Sequence, residues 1–291
     1  MKRLFPFVLL FISLTIKSQE IKLDTDYGVD GYTSFETLTH DTDLSYSKLL
    51  DDGSILMSAR TFDEVNGTQN ILIKYNSEGV MDTSFANNGF YTFDFTDDGG
   101  AKFFVDHNND IYIVYNHLPS EGDTTYNNSG ILKLDSNGVL NTVFQQNISL
   151  LVLEDYDNIE DAYLHDDGFY ILLSKYDTLL MQRVSEIKKI NSDGSFDETF
   201  GNEGSIKLQN PAYQLYATKN NEFLTLEIPE NTTLSFEQAT IVKYNNDGSL
   251  DEDYGDNGAL ISFNNGIIHC YHSSCSKFDS FIFAITIFCS N

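Results

Sequence analysis

The densest group of metal-type ligands in the chain is His269-Cys270-x-His272-x-x-Cys275. Four such side chains make up the donor set of a tetrahedral zinc site. Structural zinc sites gather two separated ligand pairs, whereas these four crowd into one short run, which favours an ordinary hairpin turn. Asp251, Asp253 and Asp256 invite a calcium reading. Calcium wants six or more oxygens, and an EF-hand loop spaces its acids at positions one, three and five with Gly at six and Glu at twelve. That spacing is absent, and after Asp82 the corresponding positions are Thr83 and Ser84. Turn capping by the acids is favoured over calcium. His40, His107, His117 and His165 stand singly, without HExxH, GxSxG or a phosphate-binding GxxxxGK[ST]. A carboxylate pair assembled across distant segments would still serve as general acid and base. No residue is assigned a catalytic, cofactor-binding or metal role, and no cofactor is expected.

What positions all of these residues is a stretch that the chain writes several times. It reads KINSDGSFDETFGNEG from Lys189 to Gly204 and KYNNDGSLDEDYGDNG from Lys243 to Gly258. It also reads KYNSEGVMDTSFANNG from Lys74 to Gly89 and, in worn form, KLDSNGVLNTVFQQNI from Lys133 to Ile148. An orphan second half, LDTDYGVDG, runs from Leu23 to Gly31. Gly79, Gly138, Gly194 and Gly248 supply the conformation that turns the chain, and Asp82, Asp197 and Asp251 can accept hydrogen bonds from backbone two residues on. The aromatic that follows, Phe85, Phe144, Phe200 or Tyr254, is expected to plug the gap between neighbouring units. In the worn copy Asn141 replaces the Asp and Gln145 the Gly, so a looser turn is expected there.

The pattern K-[aromatic/aliphatic]-[N/D]-x-x-G-x-[apolar]-[D/N]-x-x-[F/Y]-G-x-x-G resembles the delta-60 repeat of secreted bacterial proteins. Its units are regarded as blades of a β-propeller. The aligned lysines Lys74, Lys133, Lys189 and Lys243 lie 59, 56 and 54 residues apart, and the resemblance runs from about Leu23 to Phe263. It implies an architecture, and with it no catalytic residue, cofactor or defined substrate.

The strand pattern reaches the same fold class without it. AYQLYAT, FLTLEI, TIVKYN and ALISF give four strands in one unit, separated by turn signals such as Asp51-Asp52-Gly53, Asn108-Asn109-Asp110, Asp166-Asp167-Gly168 and Asn220-Asn221. The second strands ILMSA, IYIVY, FYILL and FLTLEI are nearly unbroken apolar runs, as for a strand covered on both faces. The third strands alternate, with Ile71, Ile73 and Tyr75 on one face and Leu72 and Lys74 on the other, so one face is expected to be wetter. No stretch of 12 or more residues after residue 18 shows convincing helical periodicity. The expected fold is all-β: a β-propeller of four-stranded blades, with four full repeats and a composite fifth blade that includes an N-terminal strand, an incomplete ring being the competing outcome.

Residues 1–18 have a basic start at Lys2 and Arg3, an apolar run from Leu4 to Ile16, and Ser18 before Gln19. They read as a cleaved secretory signal, too short for a membrane span. Residues 19–266 hold the repeats, and residues 267–291 form an atypical tail. The tail is either a divergent last blade or a frame-shifted end. All three cysteines, Cys270, Cys275 and Cys289, fall in it, so a disulfide framework does not hold the fold.

With 44 acidic against 17 basic residues, the net charge of −27 disfavours nucleic acid and anionic lipid and favours cationic partners. The chain has no Trp, 17 Tyr and 22 Phe, most of the rings at strand positions where they fill core. Together these readings give a monomeric protein, secreted or at the cell surface, that acts as a non-catalytic binding or scaffold module. The partner is an unknown protein, peptide or carbohydrate. The alternative from another class is a propeller hydrolase or lyase with acidic residues at the central channel.

Overall fold

The computed structural model describes residues 23–33, 42–63, 67–93, 102–116, 129–150, 158–165, 168–218, 222–228 and 239–260. Residues 1–22, where a secretory signal was expected, the tail after residue 260, His40, His117, Asp166-Asp167 and Asn220-Asn221 lie outside them.

Each repeat folds into one antiparallel sheet whose strands follow in chain order. The first sheet contains β1 (Thr42–Leu49), β2 (Ile55–Asp63), β3 (Gly67–Tyr75) and β4 (Phe90–Thr92), and the second β5 (Lys102–Val105), β6 (Ile111–Tyr115) and β7 (Gly130–Leu134). The third contains β8 (Asn158–His165), β9 (Gly168–Asp177), β10 (Gln182–Ile190) and β11 (Ser205–Lys207). The fourth contains β12 (Ala212–Ala217), β13 (Phe223–Glu227), β14 (Thr240–Tyr244) and β15 (Ala259–Leu260). These are four blade-like sheets. Among the described residues no strand joins the fourth sheet to the first; of the expected composite fifth blade, residues 23–33 are described and the tail part lies outside them.

The apolar second strands sit in the middle of their sheets. Ile113, Ile171, Leu172, Leu173 and Phe223 are buried, because each sheet packs face to face on its neighbours. Period-two geometry sends alternate residues of one strand into different cores. Phe169, Ile171 and Leu173 join Tyr112 and Val114 of the second sheet, while Tyr170 and Leu172 join Phe223 and Val242 of the fourth. In β3 the expected wetter face does not appear, since Leu72 is as buried as Ile71 and Ile73. The second sheet covers one face of β3 and the apolar cluster of Ala59, Ile71, Ile73 and Tyr75 forms the other.

The inner strands carry a repeated irregularity. Register shifts fall between Leu44 and Tyr46, Ile159 and Asp161, and Ala212 and Gln214. The residues after each shift pair with Ser58, Leu172 and Leu226, which hold the same place in their second strands. A β-bulge adds twist and re-aims the side chains around it.

The second sheet departs from the expected four strands and has three among the described residues. Where a looser turn was expected, the chain forms α1 (Thr142–Leu150). Asn141 caps it, its Oδ1 accepting the Phe144 N–H at 3.0 Å, and no glycine is present to continue the turn of the other copies. Nine residues capped this way are too short to have shown a helical period in the sequence.

Candidate functional site

The signature residues form the same small assembly in successive copies. In the turn, Gly79, Gly138, Gly194 and Gly248 have φ values of 77°, 78°, 91° and 85°. Asp82, Asp197 and Asp251 accept the backbone N–H of Ser84, Thr199 and Asp253 at 3.1, 3.0 and 3.2 Å. Their other oxygen faces the lysine that opens the copy, in pairs Lys74–Asp82 at 3.6 Å, Lys189–Asp197 at 3.5 Å and Lys243–Asp251 at 2.7 Å. Each lysine also lies near an aromatic ring, Lys74 at 5.9 Å from the centroid of Phe85 and Lys243 at 5.8 Å from that of Tyr254. The sequence had aligned these lysines without giving them a partner. The eight-residue spacing to the acid in three of the four copies was the available signal.

The rings do plug the gaps. Phe85 packs between the first and second sheets, Phe144 between the second and third, and Phe200 between the third and fourth. Tyr254 is half-buried. Backbone contacts tie one copy to the next, as Ala86 N–H donates to Asn137 O at 2.7 Å. The orphan segment does the same, with Gly28 N–H donating to Glu78 O at 2.7 Å and Thr33 Oγ1 to Gly79 O at 2.8 Å. It stands against the first sheet as a preceding copy would.

The residues singled out for chemistry are dispersed. The Asp251 carboxyl is held below its ordinary range first by the hydrogen bond from Lys243, and Asp256 accepts from Asn257 Nδ2. His107 is exposed in the β5–β6 turn, and His165 stacks on Tyr163 with centroids 6.4 Å apart. His269, Cys270, His272 and Cys275 lie outside the described residues. Among the described residues no three His, Cys, Asp or Glu side chains are grouped to hold a metal ion.

One concentration of polar side chains lies between the third and fourth sheets, at the end opposite the signature turns. Glu227, 0% exposed, ends β13. Its Oε1 accepts from Tyr244 Oη at 2.7 Å and Thr225 Oγ1 at 2.9 Å, and its Oε2 from Asn210 N at 3.1 Å and Nδ2 at 3.2 Å. Burial raises the Glu227 carboxyl above its ordinary value despite these four donors. Burial also drives the Tyr244 hydroxyl far upward, with the Glu227 charge adding to it. From the third sheet, Glu160 bonds Ser174, Arg183 Nη1 donates to Ser174 Oγ at 2.7 Å, and Ser185 Oγ accepts Ala212 N–H at 3.1 Å. Nearer the inner strands, Asp161 pairs with Lys102 at 2.5 Å and accepts the Leu215 N–H at 2.9 Å, linking three sheets. Sequence reasoning missed Glu227 and Asp161. A lone Glu closing the apolar run FLTLE was the only mark of the former.

Two hollows accompany these groups. One of 190 Å³ between the first and second sheets is lined by Asp52, Leu56, Lys74, Asn109, Ile111 and Ser136. A more open groove of 450 Å³ runs beside Lys188, Ser195, Phe196, Glu198 and Glu203. In it the Lys188 ammonium lies 5.0 Å from the Phe196 centroid and 3.4 Å from Glu186. Glu227 lines neither.

Residues 50–85 match a family described as "Domain of unknown function (DUF5122) beta-propeller". That segment is one hairpin and signature of the first repeat, well under half of the chain. No curated protein matches. Among solved structures, the chain is similar to a protein of unknown function from Bacteroides caccae at 10% identity and a TM-score of 0.35, covering 72% of this chain and 66% of that one. It is also similar to a xylan beta-1,4-xylosidase from Bacillus Halodurans C-125 at 17% identity and a TM-score of 0.33, covering 74% of this chain and 43% of the xylosidase. The chain thus spans less than two thirds of either. The fold is β-rich and propeller-like, and no helix among the described residues is long and apolar enough to cross a membrane.

Proposed function

We propose that the chain is a secreted or surface-exposed, non-catalytic propeller module of delta-60-like repeats that binds a protein, peptide or carbohydrate. The observation that carries this reading is the enclosure of Glu227. Burial raises its pKa, as a general acid would need, yet it has no exposed surface and its oxygens already accept four hydrogen bonds. A general acid must reach a substrate oxygen at hydrogen-bond distance. The repeated acids are likewise engaged, with lysines and turn amides of their own copy. Structural use of its polar groups is what a scaffold requires.

The rival is a hydrolase or lyase, favoured only by that raised carboxyl. Purified chain incubated with a panel of aryl glycosides, polysaccharides and esters is expected to give no turnover, while immobilised peptides and glycans retain it in a salt-sensitive manner suited to its charge of −27. Turnover that disappears in Glu227→Gln, with the fold intact by circular dichroism, would replace this reading with the enzymatic one.

A further inference from the structure

In the third repeat the connection between the second and third strands is short and apolar. β9 and β10 pair as far as Asp177 and Gln182, and the four residues between them are Thr178, Leu179, Leu180 and Met181. In the first repeat the corresponding residues are Glu64, Val65 and Asn66. Leu179, Leu180 and Met181 are 92%, 60% and 71% exposed, and Tyr176 beside them 48%. The tip is not slack. Asp177 Oδ1 accepts the N–H groups of Leu179 at 2.8 Å and Leu180 at 3.0 Å, and Met181 holds a φ of 55°.

We propose that this tip is a lipid-interface anchor that dips Leu179, Leu180 and Met181 into a zwitterionic bilayer. Two backbone donors are already satisfied by Asp177, so sinking the tip does not strip them of water without replacement. Lys175 and Arg183 flank it, two and one residue pairs below the Asp177–Gln182 rung. At about 3.3 Å per residue, Lys175 sits roughly 7 Å below that rung, so with the Asp177 carboxylate kept at the headgroup level its long side chain reaches back toward the phosphates from the aqueous side. Their cationic side chains, with the amphipathic Tyr176 ring, suit the phosphate and headgroup level. Arg183 is shared with Glu160 and Ser174.

A protein socket fits less well. One ring and three side chains offer on the order of a few hundred Å², short of the ~800 Å² that each partner brings to a stable interface. Bilayer insertion needs only the side chains themselves. The net charge of −27 opposes an anionic surface, which selects a zwitterionic one. Attachment through three side chains is weak and reversible, as for a single acyl chain. The anchor adds a location to the binding role proposed above and does not depend on it.

The chain contains no tryptophan, so Leu180→Trp places a sole reporter at the tip. Val80→Trp places one on an exposed signature turn at the other end of the strands. With phosphatidylcholine vesicles, the Leu180→Trp emission should shift to shorter wavelength and be quenched by brominated acyl chains, while Val80→Trp stays unmoved. Adding Leu179→Asp should lower partitioning about tenfold or more, as losing one buried leucine implies. An unmoved tip reporter, or an equal shift at both sites, overturns the proposal. A shift that grows with protein concentration in the absence of vesicles also overturns it, in favour of contact between copies.

Discussion

Lys133 of β7 is ion-paired to Asp110 of the β5–β6 turn at 3.0 Å, in a copy where Asn141 stands in place of the lysine's aspartate. Its ammonium also donates to Ser192 O of the next repeat at 3.1 Å and lies 4.8 Å from the Tyr112 centroid. At 4% exposed it is the most enclosed of the four aligned lysines. Lys133→Ala would leave Asp110 and the Ser192 carbonyl without their cation and would remove the buried lysine stem from the Tyr112 ring, a loss of about 1–2 kcal/mol. Urea denaturation should show the midpoint falling further than for Lys74→Ala. Equal losses would mean that the pairing to Asp110 adds nothing.

The inter-sheet rings predict a graded series. Phe85 and Phe144 are fully enclosed, and Phe200 touches Tyr170 and Phe223 with centroids 5.4 and 5.7 Å apart. Truncation of each to Ala should cost about 3–5 kcal/mol. The half-buried Tyr254 should cost only ~1 kcal/mol on the same scale. A Tyr254→Ala loss as large as that of Phe200→Ala would show that further chain covers this ring in solution.

Much of this frame was legible because glycines and rings recur in register. The turn at Gly194 and the ring at Phe200 each have one local role, which a repeated sequence advertises. Side chains whose role depends on a neighbouring sheet were not legible. Leu72 looked like the wetter side of an alternating strand until the second sheet covered it, whereas in β10 Glu186 and Lys188 do remain more open than Ser185 and Ile187. Asn141 read as a weakened copy of Asp82. Its amide instead starts a helix, since without the glycines nothing holds the chain in a left-handed turn. Glu227 sits where Ala59, Tyr115 and Leu173 stand in the other second strands, and only the packed sheets show that this charge in an apolar place is fully enclosed.

The signature glycines are limited by space as well as by φ. At Gly194, with φ of 91°, an added Cβ would lie 2.5 Å from Phe144 O and 3.1 Å from its Cα. Both are backbone atoms held by α1 packing, and they have no rotamer in which to yield. Gly194→Ala should therefore cost about 3 kcal/mol or more and separate the second and third repeats first. Hydrogen exchange should show protection lost in α1 and at the Asn191–Ser195 turn before β13. Loss spread evenly over all sheets would argue against that local cause.

Glu227 makes stability fall as pH rises. Its carboxyl is raised in the fold by burial, so the folded chain holds a proton that the unfolded chain releases near the ordinary value of 4.5. The stabilisation is complete below that value, declines as pH climbs, and is gone once the raised folded pKa has been passed. Asp82 and Asp197 act in the opposite sense. Hydrogen bonds from Ser84 and Thr199 hold them below 3.8, so their contribution is present above that value and is lost as pH drops further. Glu227→Gln keeps the shape and removes the charge. Its urea midpoint should match the wild type at pH 4 and exceed it increasingly toward neutral pH, because the Tyr244 and Thr225 hydroxyls can turn to accept from the amide. Two curves that stay parallel from pH 4 to 8 would show that Glu227 is not the group whose ionisation strains the interface between the third and fourth sheets.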